Sequence, residues 1–311
     1  MQILVSLNLN DYPTYIPHSF VQRFLPKTVV VKESPFSKDS NKNIPVSGLN
    51  CSISYTLNEP LTSSYVLKAC HSNRVVPAGD NSEADAHYIC FEKSSSLEHL
   101  HAIKENLAIR TADCLAVAFC FEDKNCFIGA LAHAGWRGLS SGILQNTFDK
   151  IMQEALRLGY KVQDFLQNLH IHIAPAIFAV SYECGEDVLQ ALMQHKDLLL
   201  QKYQNQDSLN DLYLELIDFK KDKSFKSLIE TKHNSLTSIN SNTVKIFPDL
   251  QLLAALECVI SGIPERNIEI LRENTYSHPV LFSFREATHK KTDKSLRQWT
   301  HLRLPLVNRD L

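Results

Sequence analysis

Two apolar runs, CLAVAFCF at residues 114–121 and CFIGALAH at residues 126–133, limit what this chain can fold into more than any other feature. Each has the length of a strand, and each is apolar at nearly every position instead of at alternate ones. Such a pattern marks strands covered on both faces, because a sheet with one wet face alternates apolar and polar residues. Only EDKN, residues 122–125, separates the runs, so they read as an antiparallel hairpin at the centre of a layered domain. The rest of the chain supplies the covering layers. Residues 139–157 place Ile143, Leu144, Phe148, Ile151, Met152 and Ala155 at helical spacing, LHIHIA (169–174) alternates up to Pro175, and residues 249–261 read as a helix. NIEIL (267–271) and VLFSF (280–284) read as late strands. Strands and helices intermixed in this order predict an α/β chain (α+β, mixed sheet), a single layered domain of mixed sheets flanked by helices. Residues 34–50 are polar and proline-containing and read as a loop, and the Lys-, Asn-, Gln- and Ser-rich stretch 196–246 reads as a polar surface insertion. Residues 1–65 then form the N-terminal part of the domain and 66–311 its main body.

Composition excludes several classes of function. A net charge of −2 with no basic stripe argues against nucleic acid as a partner, and no apolar run approaches membrane-spanning length. The first residues lack a positive segment followed by a long apolar one, so no secretory leader is expected. None of the eight cysteines has C-x-x-C spacing, which fits reduced thiols in a cytoplasmic protein.

The hairpin carries two soft-metal ligands. If EDKN closes it symmetrically, Phe121 faces Cys126, Phe119 faces Ile128, and Cys114 faces His133. Directly opposed side chains stand ~4.5–5.5 Å apart, a gap that a metal held by one thiolate and one imidazole fills. A one-residue slip would put them on opposite faces. A buried thiol beside a strand-end histidine accounts for the same residues without metal. Two ligands are too few for a catalytic zinc, and spacing does not choose a third from the 13 histidines. AGWRGL follows His133 and leads into the helix, which makes Arg137 a candidate for binding an anion such as phosphate, or else a surface arginine in a turn.

TADC (111–114), HAGWRGL (133–139), ACHSNRV (69–75) and FSFR (282–285) together resemble the YfiH/laccase-domain family, formerly known as multicopper polyphenol oxidases. The resemblance runs from about residue 66 to 300, leaving out the polar insertion. It implies a metal centre, zinc with copper also possible, held by His71, Cys114 and His133, and it makes 66–311 a metal-dependent catalytic domain. It also brings Asp113 and Asp85 forward as catalytic carboxylates, and Arg137, Arg285 and Glu183 as residues that bind substrate or phosphate. The implied activity is that of a purine nucleoside phosphorylase acting on adenosine, inosine, guanosine and methylthioadenosine with phosphate, with adenosine deaminase activity, in a monomer or homodimer. Ala69 and Ser72 stand where the family has Gln and Gly around the first histidine. Asn274-Thr275 stands for a Cys-Thr pair and Asp293-Lys294 for Gly-Arg. Three alternatives share the same residues. One is a copper-dependent polyphenol oxidase, although the H-x-H pairs His99/His101 and His170/His172 are too few for a multicopper cluster. The second is a Cys–His hydrolase with Cys114 as nucleophile and His133 as base. The third is a non-catalytic nucleoside- or metal-binding protein.

Overall fold

The computed structural model describes residues 30–31, 43–57, 59–203, 213–214, 216 and 245–305. In chain order the strands and helices are β1 (Val30–Val31), β2 (Ile44–Pro45), β3 (Ser52–Leu57), β4 (Ser64–Val66), β5 (Val75–Pro77), β6 (Ala86–Glu92), α1 (Leu97–Ala102), β7 (Asn106–Thr111), β8 (Leu115–Glu122) and β9 (Cys126–Ala134). They continue with α2 (Trp136–Ser140), α3 (Ile143–Arg157), α4 (Val162–Asn168), β10 (His170–Ile173), α5 (Glu186–Lys202), α6 (Leu250–Ile260), β11 (Ile268–Ile270), α7 (Phe284–Lys290) and β12 (Gln298–Arg303).

The two apolar runs form β8 and β9, neighbours in the middle of a mixed seven-stranded sheet of order β1-β11-β10-β8-β9-β6-β5. A second, five-stranded sheet of order β2-β3-β12-β7-β4 packs on one side of it. Alternation along β8 sorts its side chains between two cores. Leu115, Val117, Phe119 and Phe121 face α4, where the Phe121 and Phe165 rings lie 4.9 Å apart, and share one core with α3, α5 and α6, whereas Ala116, Ala118 and Cys120 face Ile53, Leu107, Ile109 and Leu302 of the second sheet. Both faces are therefore dry, which is why the runs are continuously apolar. The result is three layers, sheet on sheet on helices, the mixed-sheet α/β architecture that the residue pattern implies. Close contact between the sheets needs small residues. A Cβ on Gly129 would sit 2.6 Å from the Phe127 ring and 3.2 Å from Leu302. Helix α6 is apolar almost all round because it is buried on every side, and Asp249 caps it by accepting from Leu252 N–H at 3.1 Å.

Four expectations change. The hairpin is tighter than a four-residue EDKN loop. Asp123 Oδ1 accepts from Asn125 and Cys126 N–H at 2.7 and 2.9 Å, and Asp123 N–H donates to the Cys126 carbonyl. The turn thus holds only Lys124 and Asn125, and the register moves by two, with Phe121 opposite Ile128 and Ala116 opposite His133. The helix expected over 139–157 is two helices, because Gly142 adopts φ +84° between α2 and α3. VLFSF is not a strand: Ser283 Oγ accepts from Glu286 N–H at 3.0 Å and starts α7 there, the Ser-x-x-Glu capping signature. Finally, α5 runs through Lys202, and Tyr213 and Leu216 are wholly buried in the helical core, so the stretch from 196 begins as packed structure. Most of the remaining insertion, and residues 34–42 of the expected polar loop, lie outside the described residues.

Candidate metal centre

Two turns and the end of β9, at one end of the two-sheet layer, bring the three candidate ligands together. Cys114 lies two residues from Ala116 on β8, the residue opposite His133, so it is a diagonal neighbour of His133 on the same face. The two-residue register shift preserves the face, where a shift of one would have inverted it. Cys114 leaves the β7–β8 turn after Asp113, whose φ is +85°, and His71 sits at φ +62° before β5. Left-handed backbone at a non-glycine residue costs about 1–2 kcal/mol and persists only where other bonds impose it.

Asp85 imposes it at His71. This wholly buried carboxylate, just before β6, accepts through Oδ1 from His71 N–H at 2.9 Å and through Oδ2 from Cys70 and Ser72 N–H at 3.2 and 2.5 Å. The Ser72 hydroxyl adds a bond at 2.8 Å and the Cys70 thiol one at 3.3 Å. The same Oδ1 accepts from His133 Nδ1–H at 2.7 Å. One side chain therefore shapes the His71 turn and fixes the His133 tautomer, leaving His133 Nε2 as the donor atom toward Cys114. The His71 and His133 rings meet edge to face with centroids 5.0 Å apart.

The ligand atoms of His71, Cys114 and His133 all lie within 4.8 Å of one another, the single such cluster of three or more among the described residues. One thiolate and two imidazoles suit zinc or copper. The walls also fit an ion. A Cβ on Gly135 would stand 2.7 Å from Cys114 Sγ and 3.5 Å from the His71 ring, so only glycine leaves the sulfur its space. Gly138 plays a milder part: its Cβ would meet the His133 carbonyl at 3.3 Å and that of Ser72 at 3.5 Å, where α2 rests on both ligand-bearing segments.

The electrostatics match a thiolate site. Burial by itself pushes the Cys114 thiol up, but His133 and then His71 beside it more than reverse this and bring it down to about 6. Burial would likewise lower His133, yet the Cys114 thiolate and the Asp85 carboxylate raise it to about 10. Burial raises Asp85, and the bonds from His133 and Ser72 outweigh it, holding the carboxyl well below its usual range.

The other expected site residues fall in two places. Asp113 ties the Cys114 turn to the C-terminal part of the chain: Oδ1 accepts from the Thr275 hydroxyl and Oδ2 from Arg285 N–H, both at 2.7 Å. The Arg285 guanidinium lies over the Tyr182 ring at 5.2 Å and donates to the Glu183 carbonyl at 3.0 Å. The Glu183 carboxylate itself pairs with Lys245 at 2.9 Å, half exposed. Arg137 is exposed in the first turn of α2, its guanidinium 4.4 Å from the Trp136 ring centroid. Ser72, Gly135, Tyr182 and Thr275 are absent from the expected set. The Ser-after-His and Gly-before-Trp positions were visible in the motifs, but their contacts depend on how the turns meet. His172 is a structural residue instead, its Nε2 2.8 Å from the Tyr55 hydroxyl and its Nδ1 3.6 Å from Glu269.

Comparison with known proteins bears on the family and the fold. The chain is 38% identical over 85 residues to a purine nucleoside phosphorylase of Pseudomonas aeruginosa, covering 27% of this chain and 30% of that one. It is 31% identical over 135 residues to a purine nucleoside phosphorylase of Rickettsia conorii, covering 43% and 47%. The matched stretch thus spans less than half the length of these relatives. The fold resembles that of the Bacillus licheniformis YfiH protein, with a TM-score of 0.55 at 16% identity over 88% of this chain and all of that one. It also resembles Neisseria meningitidis protein NMB0706, with a TM-score of 0.51 at 20% identity over 85% and 99%. The family model described as multi-copper polyphenol oxidoreductase laccase matches residues 50–223. With more than half of its 311 residues inside that match, the chain belongs to the YfiH/laccase-domain family.

Proposed function

We propose that this chain is a purine nucleoside phosphorylase acting on adenosine, inosine, guanosine and methylthioadenosine with phosphate, with adenosine deaminase activity, at a zinc centre held by His71, Cys114 and His133. The observation that carries the reading is the convergence of these three side chains around a histidine whose tautomer Asp85 fixes. The names of the relatives supply the substrate class. A zinc ion there supplies Lewis acidity to a substrate or water oxygen. Phosphorolysis needs phosphate held beneath C1′ of the ribose, and the Arg285 guanidinium, kept in place through its own N–H on Asp113, is the cation for that task. Arg137 is a second cation at the α2 edge, and Glu183 lends Arg285 its carbonyl. Deamination needs a proton carrier. Asp113, 8% exposed and bonded through both oxygens, serves by giving up the Thr275 hydroxyl. Asp85 acts through His133 as a positioning residue.

The test is to incubate zinc-loaded protein with adenosine, with and without phosphate, and separate the products. Adenine with ribose 1-phosphate, formed only when phosphate is present, supports phosphorolysis, and inosine supports deamination. Neither product at full zinc occupancy overturns the reading. One observation favours a second reading: without metal, Cys114 and His133 form a thiolate–imidazolium pair, the machinery of a cysteine hydrolase. A stoichiometric metal that blocks alkylation of Cys114 rules that out. Copper in place of zinc, with phenol oxidation, would favour the oxidase.

A further inference from the structure

A histidine closes the turn at residues 278–281 (HPVL). His278 Nδ1 accepts from the backbone N–H groups of Val280 and Leu281, each at 3.1 Å. Asn and Asp side chains ordinarily supply such bonds to the residues just ahead of them. The substitution matters, because an amide oxygen keeps its lone pairs at every pH. A ring nitrogen that gains a proton becomes a donor and then faces two N–H groups. The ring side chain is only 9% exposed, and the carboxylate facing it is that of Glu273, with Oε2 3.9 Å from Nε2. Burial holds His278 below its ordinary value, with Glu273 opposing.

This turn runs directly into one wall of the metal centre. Phe282 N–H donates to Gln298 Oε1 at 2.9 Å, Ser283 caps α7, and Arg285 N–H donates to Asp113, the residue before Cys114. We propose that His278 is a pH-responsive latch and a positioning residue: unprotonated, it closes the turn and seats Arg285 on Asp113, and protonated, it opens the turn and frees that wall. The latch stands on the geometry of the turn. Its effect on catalysis rests on the reading of Arg285 as the cation that holds phosphate.

Hydrogen exchange of the full-length chain tests it, followed over residues 278–285 from neutral to mildly acidic pH and corrected for intrinsic exchange. The native chain is expected to lose about tenfold in protection there as His278 protonates, the equivalent of two modest hydrogen bonds. His278→Asn, which keeps an acceptor without the titration, is expected to stay protected throughout. His278→Leu, lacking any acceptor, is expected to be unprotected at both ends of the range. Flat protection in the native chain, or the same loss in His278→Asn, overturns the latch, whether or not His278→Leu folds. In turnover, an acid limb that disappears in His278→Asn supports the positioning role, and one that persists unchanged overturns it. A protein without phosphorolysis leaves the exchange measurement to decide, so the two readings fail separately.

Discussion

Replacing Asp85 by Asn removes one charge and almost no volume, yet the structure requires a large effect. Oδ1 accepts from His71 N–H and His133 Nδ1, and Oδ2 from Cys70 N–H, Ser72 N–H, the Ser72 hydroxyl and the Cys70 thiol. An amide has one oxygen, so one side of this arrangement must face an NH2 group. If the oxygen stays with His71 and His133, the Cys70 and Ser72 amides lose their acceptor and the left-handed His71 turn loses what imposes it. If it stays with Cys70 and Ser72, His133 escapes the clash by moving its proton to Nε2, the atom that must be a lone pair to bind metal. Each hydrogen bond to a charged group is worth about 1.5–3 kcal/mol, so two lost bonds come to roughly 3–6 kcal/mol of stability. Disrupting the partner of a ligating histidine costs about 10–100-fold in metal affinity. Urea unfolding of the metal-free chain measures the first effect and competition with a chromophoric zinc chelator the second. A D85N chain with the native urea midpoint and the native zinc affinity would refute the assignment of Asp85 as the hub of the site.

Further outcomes follow from the same contacts. Gly135→Ala places a methyl 2.7 Å from Cys114 Sγ, and chelator competition should show zinc affinity falling while the thermal midpoint of the metal-free chain barely moves. Cys114→Ala should lose both bound metal, read by elemental analysis, and turnover, and full activity in that variant would refute the centre. In metal-free protein, alkylation of Cys114 by iodoacetamide should stay fast down to about pH 6 and slow below it, because the thiolate prevails above that value, and zinc should protect it. His301 accepts from Leu61 N–H at 3.0 Å and burial lowers it to about 4. Its contribution is complete above about 6.5, where the unfolded chain is also neutral, and is lost as pH falls through about 4, on the order of 3 kcal/mol. Urea midpoints should fall over that window, and by less in His301→Gln.

The sequence by itself determined the centre of the fold and the shared face of two candidate ligands. Continuous apolarity at 114–121 and 126–133 reports burial on both faces, a local property that alternation makes readable, and the period of two places Cys114 and His133 on one face. That parity holds although the observed register differs by two residues from that of a symmetric EDKN loop. The difference comes from turn chemistry: the Asp123 carboxylate caps a two-residue turn that a count of polar residues does not reveal. Ser283-x-x-Glu286 was a legible helix start hidden beneath an apolar run. Only the tertiary structure decided the rest. The resemblance named His71, but no spacing leads to it, because its place depends on a turn folded around a carboxylate 14 residues later in the chain. Asp85 and Asp113 look alike in sequence, yet one binds the two histidine segments together and the other joins the cysteine turn to Arg285. Local pattern records which side chains leave water; which donors meet which acceptors is settled only when distant turns close on one another.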